Sequence, residues 1–156
     1  MYISYIQSHL IYLLPIWGGS NLTKIDELQI LQNKALKALY RLPNDFPTKQ
    51  LYSPNILPIK KLIEYEYTLL IFKIEKNLIK ITDCGITQTN TSITNRQTRT
   101  GHHFQIPKFK NNVAMKSVFY EGVKFYNVIP IEWKTLSISK FKHLLKQKLF
   151  NDFLVE

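Results

Sequence analysis

Apolar residues recur at helical spacing along much of the chain. After Trp17-Gly18-Gly19 they repeat at steps of three and four and predict a helix over about residues 23–42. The predicted inward stripe consists of Ile25, Leu28, Leu31, Ala35, Ala38, Leu39 and Leu42. Thr23 and Asp26 resemble a capping box at its start. Pro43 is expected to end it, because proline has no backbone N–H to donate.

The same spacing predicts helices over about residues 2–14, 59–77 and 139–153. The first is expected to turn Ile3, Ile6, Leu10 and either Leu13 or Leu14 inward. The third has Ile59, Leu62, Ile63, Leu70 and Ile74 as its apolar set, and the last has Phe141, Leu144, Leu145 and Leu149. A proline-rich connection occupies residues 43–58. These elements predict a mainly α fold built as a small helical bundle.

The stretch 81–101 differs in kind, because Thr, Asn, Gln and Ser dominate it. Such a composition is typical of a flexible, disordered loop. Beyond it, apolar and basic residues alternate around Asn111-Asn112, which predicts a short β-hairpin near residues 103–120. The chain therefore divides into a helical segment (1–80), a flexible polar linker (81–101) and a basic C-terminal segment (102–156) with the hairpin and the terminal helix.

Charge narrows the range of partners. The net charge is +10 and the isoelectric point is about 9.6, which favours polyanions. No acidic residue occurs between Cys84 and Tyr120. The candidate phosphate-binding residues are Lys34, Lys37 and Arg41 on one helix edge, and Arg96, Arg99, His103, Lys108, Lys110 and Lys116 in the second half. His103, Phe104 and Phe109 would offer flat surfaces to bases. A merely solvated basic surface is the alternative.

Several classes of chemistry are not expected. The single cysteine, Cys84, excludes an intramolecular disulfide and a multi-cysteine zinc site. The acidic pairs Asp26-Glu27 and Glu64/Glu66 are expected to be structural or solvated. We therefore predict no catalytic residues, no metal and no cofactor. The apolar stretch 2–17 is too short to span a bilayer and lacks the features of a signal peptide. An intracellular location, cytoplasmic or nuclear, is expected, although an amphipathic membrane-surface role for this stretch is a remaining alternative.

Four blocks of sequence, taken in order, resemble one family. They are Tyr2-Ile3-Ser4-Tyr5-Ile6-Gln7-Ser8-His9-Leu10 through Ile16-Trp17-Gly18-Gly19; Leu28-Gln29-Ile30-Leu31-Gln32-Asn33-Lys34-Ala35-Leu36-Lys37; Thr98-Arg99 with Phe104-Gln105-Ile106-Pro107; and Ser117-Val118-Phe119-Tyr120-Glu121-Gly122 with Tyr126-Asn127-Val128-Ile129-Pro130 and Phe141-Lys142. They resemble the C-terminal end of reverse transcriptases of non-LTR (LINE-type, jockey-like) retrotransposons. Lys37, Tyr126 and Gln97 stand where that family usually has Arg, Trp and Asn.

The resemblance implies the last helices of a polymerase thumb, residues 1–80, followed by the post-thumb segment. The chain has no Asp-Asp pair for a palm metal site, no endonuclease and no zinc knuckle. It also opens directly into apolar sequence, like a piece of a larger domain. The implied function is thus a non-catalytic fragment of an RNA-directed DNA polymerase that helps to bind RNA or an RNA/DNA duplex. The alternative is a structural or protein-interaction module that packs on the missing palm and thumb without touching nucleic acid.

Overall fold

The computed structural model describes residues 2–19, 21–80, 89, 92 and 103–156, except for the side chain of Val113. These residues are mainly helical, as the apolar spacing predicts. All but residues 89 and 92 of the predicted linker, 81–101, lie outside the described part of the chain. The description below therefore concerns the helices on either side of it.

The N-terminal segment is not the continuous helix predicted over 2–14. A π-helical turn, Ile3–Gln7, leads into α1, Ser8–Ile11, and a second short helix, α2, spans Leu14–Trp17. Between them Leu13 has a left-handed φ of 53°. The break arises because Pro15 has no N–H to donate to the carbonyl group of Ile11.

This break also changes which apolar side chains point inward. Tyr2 and Leu14 are buried, whereas Ile3 and Leu13 are about half exposed, at 53% and 50%. Trp17 Nε1 donates a hydrogen bond to the carbonyl group of Tyr12, 2.9 Å away, at the interruption. The predicted inward positions Ile6 and Leu10 are only half-buried.

The second long helix, α3, spans Leu22–Leu39 rather than 23–42. Asn21 is its N-cap and accepts from the Thr23 N–H at 3.1 Å, so the predicted Thr23 cap is wrong by two residues. The helix ends at a left-handed Arg41 (φ 53°), and the Leu42 N–H donates to the Lys37 carbonyl oxygen at 2.9 Å. This Schellman-type ending stops the helix before Pro43 is reached.

The buried face of α3 differs in part from the predicted stripe. Ile25, Gln32 and Leu36 are buried, while Leu31 is 58% exposed and Ala38 is also exposed. Glutamine replaces an apolar residue in the middle of this face. Leu28, Leu39 and Leu42 still pack against the two apolar clusters, so the apolar pattern predicts the helix and most of its inner face but misplaces Leu31 and Ala38.

The central helix, α4, spans Ile59–Glu75 and confirms the element predicted over 59–77. Most of its side chains are buried, including Tyr67, Ile71 and Phe72. The connection before it contributes Leu51, Tyr52 and Ile56 to a second, smaller apolar cluster with Tyr2 and Leu36. The main cluster draws on residues from both sides of the predicted linker.

The C-terminal part contains α5, Asn112–Met115; α6, Val118–Asn127; α7, Ile131–Lys134; and α8, Ile138–Val155. The last confirms the helix predicted over 139–153. Helices α6 and α8 pack on α4: the Phe72 and Phe141 rings stack 4.0 Å apart, and Tyr126 lies 6.4 Å from Phe141. Gly122 permits close approach, since a Cβ there would lie 3.3 Å from the Tyr67 carbonyl oxygen.

The predicted hairpin near 103–120 is wrong. Two helical segments, α5 and the start of α6, occupy its second half, because Val118, Gly122 and Tyr126 are buried at helical spacing. In its first half, Phe104 forms only an isolated antiparallel bridge with Thr89, and the Asn127 side chain pairs with the Phe104 backbone. The Phe104 N–H donates to Asn127 Oδ1 at 3.0 Å, and Asn127 Nδ2 donates to the Phe104 carbonyl oxygen at 2.9 Å.

Candidate nucleic-acid interface

The candidates on α3 lie beside a groove of about 520 Å³ between the helix and the loop that follows it. Lys34 and Lys37 line this groove together with Ile30, Asn33, Asn44 and Thr48. Lys37 Nζ donates to the Asn44 carbonyl oxygen at 2.5 Å, so this side chain anchors the loop while keeping its positive charge. Lys34 is exposed.

Arg41 extends the same cationic edge to the end of α3, where it is exposed and left-handed. The sequence has no acidic residue between Glu27 and Asp45. The structure therefore brings Lys34 and Lys37 to one groove and places Arg41 one turn beyond it. We call Lys34, Lys37 and Arg41 the α3 edge.

The candidates of the second half form a separate group. Lys108, Lys110 and Lys116 are exposed, and His103 is half-buried. None of the three lysines pairs with a carboxylate within the described part of the chain. Arg96 and Arg99 lie outside the described residues, so their placement stays a prediction.

Lys116 lies near the beginning of α3, whereas the α3 edge lies towards its end. The Lys116 carbonyl oxygen lies against Gly19, where an added Cβ would be only 2.5 Å away. Gly19 precedes the beginning of α3, whereas Lys34 is 12 residues beyond Leu22, or about 18 Å along the helix axis. The sequence-predicted residues therefore do not form a single cluster.

The aromatic candidates are only partly available to bases. Phe104 is 7% exposed and packs on Tyr126 with ring centroids 5.9 Å apart, so it belongs to the core rather than to a stacking surface. Phe109 is half-buried, 6.3 Å from the ring of Tyr120. Lys124 lies 4.3 Å above that same ring.

Three lysines of α8 lie near enough to carboxylates on α4 to influence their ionisation. Burial raises the pKa of both Glu64 and Glu66, and nearby lysines oppose that effect. Lys148 acts in this way on Glu64, and Lys142 and Lys146 act on Glu66. Both carboxylates are half-buried.

A polar network that the apolar pattern does not reveal lies beside the α3 edge. Gln32, 3% exposed, donates through Nε2 to the Tyr2 hydroxyl group at 2.7 Å and to the Leu57 carbonyl oxygen at 2.9 Å. Gln29 accepts from the Ile59 N–H at 2.8 Å and donates to the Tyr52 hydroxyl group at 2.5 Å. The available signal was the interval of seven residues between Ile25 and Gln32, which puts both on one face.

A second unexpected group is Lys134. Its side chain is 6% exposed, and its ammonium group lies 4.4 Å from the ring centroid of Tyr126. Nζ has no hydrogen-bond partner among the described residues. Burial lowers the pKa of Lys134, and the negative charge of Glu75 partly opposes that shift. The Tyr126 hydroxyl group in turn donates to the Glu75 carboxylate.

Within the described residues, no group of three or more His, Cys, Asp or Glu side chains is placed to hold a metal ion. No helix in that part of the chain combines the length and apolar character needed to cross a membrane. Comparison with protein-family models, with curated proteins and with solved structures finds no match. The resemblance described above therefore depends on the sequence blocks alone.

Proposed function

We propose that the chain is a non-catalytic segment of a non-LTR retrotransposon reverse transcriptase, and that it contributes binding of RNA or an RNA/DNA duplex. The observation that supports binding is the α3 edge, where Lys34 and Lys37 line a groove and Arg41 is exposed nearby, on an acid-free stretch of the chain. The observation that supports the family is the order of the four sequence blocks.

The α3 edge is suited to a phosphate backbone. Lys34 and Lys37 are three residues apart on α3, which is about one helical turn, and Arg41 follows the end of the helix. Lys37 has two of its three ammonium N–H donors left beyond its bond to Asn44.

No catalytic role belongs to this proposal. The chain has four aspartates, Asp26, Asp45, Asp83 and Asp152, and no two are adjacent. Asp26 pairs with Lys60 at 2.8 Å, and Asp152 lies 3.9 Å from Lys148. The reaction of the parent family would need a palm that supplies a paired carboxylate site for metal ions.

The test is a binding titration with a labelled single-stranded RNA and with an RNA/DNA duplex over a range of salt concentrations. A triple variant, Lys34→Gln/Lys37→Gln/Arg41→Gln, is expected to weaken binding and to lower the slope of log K against log salt by about 2–3, because each phosphate contact contributes roughly 0.7–0.9. Circular dichroism checks that the variant stays folded.

The matched control removes the same charge elsewhere, through the exposed residues Lys24→Gln/Lys76→Gln/Lys140→Gln. It should change the salt slope far less. Equal losses in both triple variants would show that net charge, not the α3 edge, drives binding. An unchanged affinity in the α3-edge variant would refute the proposed interface.

One observation favours the alternative, a module that packs on the polymerase. Residues 2–23 contain no Lys, Arg, Asp or Glu, and three of their large side chains are strongly exposed: Tyr5 at 70%, Tyr12 at 71% and Ile16 at 76%. Ile16 also lines an apolar groove of about 670 Å³ with Leu70 and Phe119. An exposed apolar surface of this kind is typical of protein contact.

Tyr12→Ser/Ile16→Ser separates the two candidates. For a packing module, this variant should lose co-purification with a separately expressed palm–thumb fragment of such a polymerase and keep its affinity for RNA. A variant that still co-purifies would remove the support for the packing module.

A further inference from the structure

A second pocket, of about 290 Å³, lies on the other side of Asn33 from the α3 edge. Helix α3, the 3₁₀ turn Thr48–Leu51, the beginning of α4 and the end of α8 all contribute to it. Its lining consists of Gln29, Asn33, Thr48, Lys49, Tyr52, Pro58, Lys60, Lys61, Phe153 and Glu156. Its volume is near the lower limit for small-molecule sites.

Aromatic and amide groups meet in this pocket. The rings of Tyr52 and Phe153 pack edge to face, with centroids 5.4 Å apart. The Tyr52 hydroxyl group donates to Asn33 Oδ1, which also accepts from Gln29 Nε2 at 3.2 Å. This arrangement fixes the Asn33 amide plane and leaves its NH₂ group without an acceptor among the described residues.

Three lysines line the same pocket, and two of them, Lys49 and Lys60, have weak partners. Lys49 Nζ donates to the Leu154 carbonyl oxygen at 3.3 Å. Lys60 pairs with Asp26 in an exposed ion pair, and Lys61 pairs at 2.6 Å with Glu156, whose side chain is 66% exposed. The Lys60–Asp26 pair is exposed on both sides and contributes little stability, so a phosphate group can displace that carboxylate. Lys61 is largely buried and also lies 3.8 Å from Glu64, so it stays with its carboxylates.

We propose that this pocket binds a nucleoside monophosphate. The half-buried ring of Phe153 would contact the base, the Asn33 NH₂ group would donate to a ring nitrogen or carbonyl oxygen of the base, and Lys49 and Lys60 would bind the phosphate group. An apolar ligand would leave the amide donors and the lysines unused. Inorganic phosphate alone would leave the aromatic surface uncovered.

The nucleoside monophosphate in this pocket could be a free nucleotide or an unstacked nucleotide of a single strand. The pocket shares Asn33 and Thr48 with the groove of the α3 edge. A strand that lies along that edge would therefore reach the pocket with its next base. The pocket itself is argued from its own side chains and does not depend on the proposed RNA binding.

The experiment is calorimetric titration of the full chain with adenosine 5′-monophosphate, adenosine and inorganic phosphate. The monophosphate should bind saturably, with the other two at least about tenfold weaker, because each lacks one half of the contacts. Lys49→Gln/Lys60→Gln should weaken monophosphate binding about tenfold and leave adenosine binding unchanged. Both lysines are exposed, so the fold is retained.

Lys24→Gln/Lys140→Gln is the matched control and should bind the monophosphate as the parent chain does. Absence of saturable binding, or equal weakening by both double variants, overturns the proposal. A 5′-phosphorylated tetra-adenylate that binds more tightly than the monophosphate identifies a strand as the source, and equal affinity identifies the free nucleotide.

The result of the monophosphate titration can be distinguished from the result of the RNA-binding test of the α3 edge. The Lys34→Gln/Lys37→Gln/Arg41→Gln variant should keep its monophosphate affinity. A chain that binds RNA through the edge but no monophosphate overturns only the pocket, and the reverse result overturns only the proposed function.

Discussion

At the scale of single residues, Lys134 is the most unusual group. Its ammonium group is buried above the ring of Tyr126, and Glu75, beyond the Tyr126 hydroxyl group, provides compensating charge without a hydrogen bond to Nζ. A cation over an aromatic face gains about 0.5–2 kcal/mol. Desolvation of the charge opposes this gain, and the lowered pKa shows which effect is larger.

We therefore expect Lys134→Met to raise the free energy of unfolding at pH 7 by about 1 kcal/mol, because methionine fills the space without a buried charge. The lowered pKa means that the unfolded chain holds this proton more tightly. The parent chain should thus gain stability as the pH rises from the folded pKa towards 10.5, and the variant should lack that gain. Urea denaturation at pH 7 and pH 9.5 measures both effects.

Lys140→Met is the control, since Lys140 is exposed on α8. It should leave both the stability and its pH dependence near those of the parent chain. If Lys134→Met were less stable at pH 7, the attraction of Tyr126 and Glu75 would outweigh the cost of burial.

At the scale of elements, Asn127 joins two segments that are distant in sequence. Its side chain pairs with both backbone groups of Phe104, which also forms an isolated antiparallel bridge with Thr89. Phe104 and Tyr126-Asn127 belong to the third and fourth blocks of the family resemblance. The polar member of the fourth block therefore has a structural role, which is to hold the first half of the segment 103–111 against α6.

Asn127→Ala should lower the free energy of unfolding by about 1–3 kcal/mol, because it leaves the Phe104 N–H and carbonyl group without these partners. Hydrogen exchange should show the loss first at the Phe104 amide. Asn151→Ala, at an exposed position on α8, is the matched control and should change stability by less than about 0.5 kcal/mol. Unchanged exchange at Phe104 would contradict this role.

The long helices α4 and α8 were predictable because apolar residues recur at helical spacing along both segments. The inner face of α3 was predictable only in part, since Gln29 and Gln32 on its inner side satisfy one another and the Tyr2 and Tyr52 hydroxyl groups through tertiary contacts. The hairpin prediction failed because the partner of Phe104 is a side chain 23 residues away.

The sequence predicts which basic residues belong to the candidate site, but it does not predict which other residues the fold places beside them. Lys34 and Lys37 could be assigned to one helix edge from spacing alone. Their groove is completed by Asn44 and Thr48, whose position depends on how the proline-rich connection folds back. The pocket beside it combines residues from positions 29 to 156, and no local pattern reports such a combination.

At the scale of the whole molecule, tyrosine provides much of the core. Burial raises the pKa of Tyr2, Tyr52, Tyr65, Tyr67 and Tyr126, and that of Tyr67 reaches about 12. A phenol whose pKa is raised on folding binds its proton more tightly in the folded chain. Its contribution is complete below pH 10 and is lost as the pH rises through the folded pKa.

The chain should therefore unfold in alkali, with the free energy of unfolding falling steadily above pH 10. Tyr67→Phe should remove about 2–3 kcal/mol of that loss, since two pKa units correspond to roughly 2.7 kcal/mol. Circular dichroism and tyrosinate absorbance, recorded together from pH 9 to 12.5, measure the effect. Tyr5→Phe, at an exposed tyrosine, is the control. Parallel pH curves for Tyr67→Phe and the parent chain would contradict the assignment.

The stack of Phe72 on Phe141 has a consequence for synthesis of the chain. Phe72 leaves the ribosome about 70 residues before its partner, and translation at roughly 5–20 residues per second makes that interval about 3–14 s. During that time the face of α4 that later receives α8 is exposed to the cell. The nascent chain thus presents an aromatic surface to chaperones before its own last helix can cover it.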